Sequence, residues 1–308
     1  MEYLLISLFF SIASLTYVNN FFLKSNIVDK INKRSSHSTL ATRSGGITFF
    51  LSVLLISLFQ YLKGNEIFDY SILVPLLLLL LIGVYDDIYK IDFKLKFIFQ
   101  IIAAKILIDN GYIIDNLHGF AGIFEISRIA AQLFTILIVI AIINAINFID
   151  GIDALAISVV LFFIIGFEFL SNDKSKFYFL SMMIVGSIIP MYYFNFRRKN
   201  KIFLGDSGSY FLGGLISIYV LHICSNEYLI KERFDLNKII FVSSILFYPI
   251  IDLVRIFFIR LKNKKSPFIA DKNHLHHLLL EHTNSHWLST LIIVLVSLIV
   301  AILLQAVF

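Results

Sequence analysis

Carboxylates, amides and imidazoles gather in five short polar stretches of an otherwise apolar chain. Asp86 and Asp87 are adjacent and end one apolar run. Neighbouring carboxylates repel each other unless a cation or a proton lies between them, so the pair indicates a metal site or a general base. The alternative is a solvated helix end, although acidic groups are unfavourable at a helix C-terminus.

The segment NAINFIDGID, residues 144–153, places two Asn and two Asp within a nearly continuous apolar track. Polar side chains at membrane depth are costly without partners, which favours a functional role. Asp150 and Asp153 are three residues apart, a spacing that would put them on one face of a helical turn. The alternative is a capped turn with Asp150 as the N-cap, which would account for only one of these four polar residues.

The segment FLGDSGS, residues 203–209, opens another apolar run. Gly205 and Gly208 permit close backbone approach, and a helix N-terminus attracts anions. Asp206 could then hold a metal that neutralises phosphate oxygens. A plain helix start, with Asp or Ser as the cap, is an equally good interpretation.

Three imidazoles, those of His274, His276 and His277, lie within four residues of the last polar stretch. They could bind a transition metal or phosphate, or shuttle protons, whereas the alternative is an interfacial amphipathic segment. The single Cys224 excludes a Cys-based metal site. The carboxylates elsewhere favour a hard cation such as Mg²⁺.

The first polar stretch, RSSHSTLATRSGG at residues 34–46, offers cations, hydroxyls and a Gly pair. This composition suits an anionic ligand, but a basic anchor at the membrane surface looks the same. Asp252 and Arg255 lie three residues apart in an apolar run, and we interpret them as a structural ion pair.

The elements that carry these residues must be membrane helices. The chain has 308 residues, of which 58% are hydrophobic and only 15% charged, and its mean hydropathy is +0.86. A bilayer can solvate so much apolar surface, and segments that are apolar all round must be helices there. We predict an all-α, polytopic integral membrane protein that forms one domain over residues 1–308. The net charge of +5 lies in short loops, so no nucleic-acid partner is expected.

Ten spans are expected from the apolar runs, and the Lys and Arg residues between them predict orientation. The loops after odd-numbered spans hold 17 basic residues and the alternate loops hold seven. The odd loops, which carry every polar motif, are therefore expected to face the cytoplasm, with both termini outside. The predicted spans are 3–23, 45–62, 70–85, 95–110, 128–147, 152–170, 177–195, 207–223, 238–260 and 287–307.

The order of the motifs resembles a known family. DDIYKIDFKLKFIFQ, NAINFIDGIDALA, FLGDSGS and SPFIADKNHLHHLLL follow one another as in the polyprenyl-phosphate N-acetylhexosamine-1-phosphate transferases, the MraY/WecA superfamily (glycosyltransferase family 4). The first polar stretch resembles the O-antigen-type branch of that family. The resemblance covers about residues 34–280 and includes all five polar stretches.

The resemblance implies transfer of a sugar 1-phosphate from a UDP-N-acetylhexosamine to undecaprenyl phosphate, with release of UMP. It implies a requirement for Mg²⁺, with Mn²⁺ as an alternative, an active site on the cytoplasmic side of the bacterial inner membrane, and a homodimer. It also implies a role in starting O-antigen or other envelope polysaccharide synthesis.

The resemblance further assigns roles at matching positions. Asn147 and Asp206 are expected to hold the metal. The catalytic set, which activates or positions the lipid phosphate, organises the metal and nucleotide, and binds the transferring phosphate, is Asp86, Asp87, Asp150, Asp153, His274, His276 and His277. Substrate binding is expected of Arg43, Lys96, Asn195 and Phe203, the last two near the nucleotide base.

This chain departs from the family pattern at three places. Leu40, Ala41 and Thr42 stand where prolines are common, and Ala154 replaces a common Gly. The stretch between Asn195 and Asp206 is one residue longer than usual.

Two other functions compete with the transferase. A membrane prenyltransferase would bind diphosphate through Mg²⁺ on a DDxxD motif, but Asp86-Asp87 is followed by Ile-Tyr-Lys, and the His cluster has no role there. A transporter would show two related halves with broken helices near the midplane. No such repeat is evident in the sequence, and the polar motifs are expected on one face.

Overall fold

The computed structural model describes residues 2–29, 41–120, 122–171, 174–225, 237–264 and 273–307. Most of the first polar stretch, residues 34–40, and residues 265–272 before the His cluster lie outside these ranges, as do the expectations placed on them.

Helices dominate the described residues, and four short strands accompany them. A single 3₁₀ turn, Tyr70–Ile72, precedes α3. The helices are α1 Glu2–Lys24, α2 Gly45–Leu62, α3 Leu73–Tyr89, α4 Phe93–Asp109, α5 Arg128–Ile149, α6 Leu155–Leu170, α7 Tyr178–Phe196, α8 Gly205–Cys224, α9 Asn237–Ile245, α10 Phe247–Lys262, α11 Leu275–Thr283 and α12 His286–Val307. The strands are β1 Ala41–Thr42, β2 Asn116–Phe120, β3 Ile123–Glu125 and β4 Lys201–Ile202.

The predicted fold class is confirmed. In the described part of the chain, seven helices are long and apolar enough to cross a membrane, and α9 with α10, bent by 77°, make up to an eighth. Each of the ten predicted segments is largely helical. Two of them, α4 with 17 residues and α6 with 16, are not among these seven or eight helices.

The chain divides into two compact units, Met1–Phe99 with Asp173–Leu212, and Gln100–Asn172 with Gly213–Phe308. The expectation of one domain over residues 1–308 remains a prediction. In the first unit α1 packs on α7 through small residues. Ser7 and Ser11 donate hydrogen bonds to the Met183 and Ser187 carbonyls, which satisfies polar groups that lipid could not solvate.

A parallel strand pair in the first unit brings the N-termini of α2 and α8 together. β1 pairs with β4, and the N–H of Gly45 donates to the Phe203 carbonyl at 3.1 Å. A Cβ at Gly46 would lie 2.2 Å from the Gly208 nitrogen, and one at Gly83 would lie 2.4 Å from the Ser207 Cα. Only glycine lets α2, α3 and α8 converge this closely, and the convergence aligns their polar ends.

In the second unit α5 and α6 are joined by a tight turn rather than by continuous helix. α5 ends at Ile149 and α6 begins at Leu155. Asp150 follows the C-terminus of α5, so its interpretation as an N-cap is wrong, and Asp150 and Asp153 do not share a helical turn. Ala154 has φ +61°, a left-handed conformation that favours glycine.

Candidate active site

A lysine joins two carboxylates in the first unit. The Lys96 ammonium forms an ion pair with Asp86 and lies 3.6 Å from a carboxylate oxygen of Asp206. The turn between α3 and α4 creates this arrangement, because Lys90 adopts a left-handed conformation with φ +54° and reverses the chain. Lys96 in the first turn of α4 then reaches back to the end of α3. The site thus places one lysine ammonium beside the carboxylate oxygens of two aspartates.

Asp86 and Asp206 differ in exposure. The Asp86 side chain is 5% exposed, and its Oδ1 accepts the backbone N–H of Ile91 at 2.9 Å. The Asp206 side chain is 25% exposed. Of the two, Asp206 is therefore the more accessible carboxylate for a cation or a charged substrate from outside the unit.

Asp87 caps α8. Its two oxygens accept the backbone N–H groups of Asp206 and Ser207, each at 3.0 Å. The first N–H groups of a helix have no partner within the helix, and a carboxylate there also complements the helix dipole. The sequence interpretation had placed this cap on Asp206 or a Ser, whereas the structure assigns it to Asp87 at the end of α3.

Gly205 makes room for that cap. Its φ is +74°, and a Cβ on it would lie 2.6 Å from an Asp87 carboxylate oxygen. Gly205 is thus required both for its backbone conformation and for the close approach of Asp87.

Arg43 bridges two carboxylates beside α8. Its guanidinium lies 3.3 Å from Asp87 Oδ1 and 3.0 Å from Asp29 Oδ1. Burial lowers the pKa of Arg43, but the charges of Asp87, Asp29 and Asp206 outweigh it and raise that pKa above its ordinary value. Arg43 therefore stays cationic. The sequence reasoning did not identify Asp29, which follows an apolar helix without any motif.

The two residues expected near the nucleotide base shape the loop before α8. Asn195 is buried and donates its side-chain N–H to the Ile202 carbonyl at 2.7 Å. The Lys201 ammonium lies 5.2 Å from the centre of the Phe203 ring. Asn195 thus stabilises the strand that leads to Asp206. Base recognition by Asn195 and Phe203 remains a prediction.

The His cluster of the second unit is organised around α10. Asp252 Oδ2 lies 2.6 Å from His274 Nδ1, and Asp252 Oδ1 accepts the N–H of Leu275 at 2.8 Å. The nearest guanidinium nitrogen of Arg255 is 3.9 Å from Asp252. The predicted ion pair of Asp252 and Arg255 is therefore present, but the closer partners of Asp252 belong to α11 and its cap.

His276 is fully buried, and one of its nitrogens faces the turn between α5 and α6. Its Nδ1 lies 3.0 Å from the Tyr248 hydroxyl, while its Nε2 has no hydrogen-bond partner among the described residues. A Cβ at Gly151 would lie 2.2 Å from that Nε2. Burial, followed by the neighbouring His277 and His274, lowers the pKa of His276 well below its ordinary value, so the ring is neutral at physiological pH.

A histidine that the sequence reasoning missed holds Asp153. His286 Nδ1 accepts the backbone N–H of Asp153 at 3.1 Å and lies 3.4 Å from its carboxylate. Thr290 donates to the Asp153 carbonyl at 2.8 Å. The only available signal was a lone His at the start of an apolar segment, which usually marks no more than a membrane boundary.

The second unit also contains the amide expected to bind metal. Asn147 lies half-buried in the last turn of α5. One turn earlier, Asn144 donates to the Gln100 side chain and the Ile140 carbonyl, both at 2.8 Å. Carboxylate and amide oxygens are the ligands that Mg²⁺ prefers, and each unit contributes such groups: Asp86 and Asp206 in the first and Asn147 in the second.

The fold and its polar clusters define a polytopic membrane protein with an acidic and basic site at its helix ends. The profile of glycosyl transferase family 4 matches residues 70–224. A Bacillus subtilis relative, named probable undecaprenyl-phosphate N-acetylglucosaminyl 1-phosphate transferase, is 32% identical over 284 residues, covering 91% of this chain and 77% of the relative.

Two other relatives agree. One from Mycobacterium leprae, named decaprenyl-phosphate N-acetylglucosaminephosphotransferase, is 31% identical over 82% of this chain and 70% of the relative. One from Escherichia coli K12, named undecaprenyl-phosphate alpha-N-acetylglucosaminyl 1-phosphate transferase, is 28% identical over 90% of this chain and 75% of the relative. The chain belongs to glycosyl transferase family 4, and the resemblance of the motif order to that family is confirmed.

Proposed function

We propose that this protein transfers N-acetylhexosamine 1-phosphate from a UDP-sugar to undecaprenyl phosphate and thereby starts the synthesis of an envelope polysaccharide such as O-antigen. An oxygen of the lipid phosphate attacks the phosphorus that carries the sugar. A new P–O–P bond to the lipid forms as the bond to the UMP oxygen breaks, and UMP leaves. The names of the relatives support the acceptor and the sugar class.

The observation that carries the proposal is the cluster of Lys96, Asp86 and Asp206 at the converging ends of membrane helices. Phosphoryl transfer between two phosphates requires charge neutralisation and alignment more than covalent chemistry from the protein. Asp206 and Asn147 would hold Mg²⁺, which supplies neutralisation of the phosphate oxygens when bound. Lys96 adds a cation that Asp86 orients.

The other polar groups have distinct tasks in this proposal. Asp87 and Gly205 hold the start of α8, and so the Asp206 carboxylate, in place. Arg43, cationic and 31% exposed, offers a second positive charge to an anionic substrate. The neutral His276 presents an unused Nε2 at the turn that carries Asp150 and Asp153.

An apolar cavity supports a lipidic substrate. It lies in the second unit, has a volume of about 450 Å³ and is lined mainly by aliphatic side chains of α5, α9 and α10. Such a lining suits an isoprenoid chain and offers few partners to a polar solute. The excess of basic residues in the loops after odd-numbered spans supports a site that faces the cytoplasm, with both termini outside.

The test uses membranes that contain the expressed chain. Undecaprenyl phosphate and a panel of radiolabelled UDP-N-acetylhexosamines are added with Mg²⁺ or with EDTA, and the lipid fraction is extracted. Label in a pyrophosphoryl lipid together with released UMP, dependent on Mg²⁺ and absent in Asp206→Asn, is the expected result. Label in no lipid with every donor, while Mg²⁺-dependent isoprenyl transfer or ion-coupled uptake is found, would overturn the proposal.

A further inference from the structure

We propose that Asp252 is a positioning residue for the reaction, and that its carboxylate fixes His274 in the tautomer with the proton on Nδ1 and a lone pair on Nε2. The inference rests on the proposed function, in which His274 serves phosphate transfer. Asp252 lies inside α10, in no motif that the family resemblance absorbs.

The carboxylate of Asp252 has a close partner at each of its two oxygens. Asp252 and His274 have side chains that are 1% and 6% exposed, and Oδ2 and Nδ1 are 2.6 Å apart. The other oxygen, Oδ1, accepts the N–H of Leu275 in the first turn of α11. A carboxylate has acceptors only, so Nδ1 is the donor in this contact.

The opposite side of the ring gives independent support for the same tautomer. Arg260 is buried, and its guanidinium lies 3.5 Å from His274 Nε2. Its guanidinium carbon lies 5.7 Å from the centre of the Phe148 ring. A guanidinium has donors only, so the nitrogen that faces it presents its lone pair. The two neighbours of the imidazole thus specify one protonation pattern between them.

A metal ion is the competing explanation. Asp252, His274 and His276 each offer a ligand atom, and these atoms lie within 4.8 Å of one another. The direct contact between Oδ2 and Nδ1 already joins two of those atoms. Arg260 beside His274 and Arg255 at 3.9 Å from Asp252 would both repel a divalent cation. A hydrogen-bonded carboxylate–imidazole pair therefore suits this environment better than a metal centre.

The pair has a defined chemical use. A carboxylate at Nδ1 orients the imidazole and stabilises the imidazolium that forms when Nε2 takes a proton. The proton passes from a phosphate P–OH oxygen to Nε2 once that phosphate has replaced Arg260 beside it, and the phosphate, with one more negative charge, then lies between the imidazolium and the guanidinium. Among the described residues, Asp252 contacts His274, Leu275 and, at 3.9 Å, Arg255, and we assign its effect on the reaction to His274.

The first measurement is the ¹⁵N NMR spectrum of histidine-labelled full-length protein in lipid nanodiscs. His274→Gln identifies the His274 signals by their loss. We expect a protonated Nδ1 and an unprotonated Nε2 in the wild type. In Asp252→Asn the carboxamide can turn its N–H toward Nδ1, so the proton should move to Nε2. A wild-type His274 that is protonated on Nε2 alone overturns the inference without recourse to any variant.

The second measurement is steady-state transfer, with Arg255→Gln as the matched control on the same helix face. Asp252→Asn should lower kcat by at least about 10²-fold, since a wrong tautomer disables proton transfer, and leave KM for the donor within about threefold. Arg255→Gln should keep kcat within about threefold, because the Arg255 side chain is 30% exposed and its guanidinium, at 3.9 Å from Asp252, is too distant for a hydrogen bond to it. Equal losses of kcat in the two variants would show that Asp252 serves only as the partner of Arg255 in a structural ion pair.

The two measurements separate the inference from the proposed function. The NMR measurement does not depend on turnover. An inactive wild-type protein would therefore refute the proposed transferase function, while the observed tautomer of His274 would still test the role of Asp252. Metal analysis of the purified protein then tests the competing explanation, a metal centre. One equivalent of tightly bound transition metal, lost in both Asp252→Asn and His274→Gln, would overturn the inference in favour of a metal centre.

Discussion

The carboxylate of Asp87 accepts the backbone N–H of Asp206 across 3.0 Å, and this contact ties the end of α3 to the start of α8. The two aspartates have different surroundings. Asp87 is 3% exposed and its oxygens accept backbone N–H groups, whereas Asp206 is 25% exposed and lies beside Lys96. Asp87 therefore stabilises the site, whereas Asp206 is accessible to a substrate or a cation.

Asparagine at each of these positions should have a different effect. Asp87→Asn weakens the cap on α8 and should lower stability by about 1 kcal/mol, the usual scale for a lost helix cap. Asp206→Asn should leave stability unchanged and lower turnover by at least about 10²-fold. Thermal unfolding in detergent and label transfer to the lipid are measured on both. An Asp87→Asn protein as stable as the wild type but inactive would assign Asp87 to the chemistry.

Alanine at Gly205 should be costly for two reasons that a control can separate. Gly205 and Gly64 have nearly equal φ, +74° and +75°, but a Cβ at Gly64 meets nothing within 4 Å, whereas one at Gly205 meets the Asp87 carboxylate. Gly64→Ala should show only the backbone strain, roughly 1–2 kcal/mol. Gly205→Ala should lose more stability than that and most turnover. Equal losses in unfolding temperature would show that the clash with Asp87 is absent.

Several of these contacts could not be predicted from the sequence. The helices and the start of α8 follow from apolar runs and glycine positions, and these predictions are confirmed, although α4 and α6 are not among the helices long and apolar enough to span a membrane. The β1–β4 pair joins two-residue segments 160 positions apart, too short to produce a periodic pattern. Asp252 was visible as a carboxylate in an apolar run, but its partner His274 is 22 positions away. A spacing of three pointed to Arg255 instead, because only local pairs can be read from a helix.

Removal of the Lys96 charge should abolish transfer. Lys96→Met keeps the length of the side chain but leaves Asp86 and Asp206 without their shared cation, so turnover should fall by at least about 10²-fold. Lys105→Met is the control, because it breaks an exposed ion pair with Asp109 on the same helix. That variant should behave like the wild type in initial-rate assays. Comparable rates for Lys96→Met and Lys105→Met would remove Lys96 from the site.

Alanine at Gly151 should displace His276. Its Cβ would lie 2.2 Å from the buried Nε2, and an imidazole forced to move by about 1 Å can cost up to 10²-fold in rate. Gly166→Ala in the same unit is the control, since its Cβ would meet only the flexible Ile245 tip at 2.8 Å. We expect a loss of kcat of about tenfold or more in the first variant alone. A normal kcat in Gly151→Ala would show that the position of His276 does not matter.

Metal binding should depend on Asp206 and be measurable without turnover. The predicted ligands are oxygens, which bind Mn²⁺ as well as Mg²⁺, so electron paramagnetic resonance can follow Mn²⁺ bound to the purified protein. Wild-type protein should bind Mn²⁺ and release it to excess Mg²⁺, and Asp206→Asn and Asn147→Ala should each weaken binding by about tenfold or more. Asp109→Asn, which alters an exposed carboxylate that pairs with Lys105, should bind as the wild type does. Unchanged affinity in Asp206→Asn would place the metal elsewhere, and transfer that survives EDTA would show that the reaction proceeds with Lys96 and Arg43 as its cations.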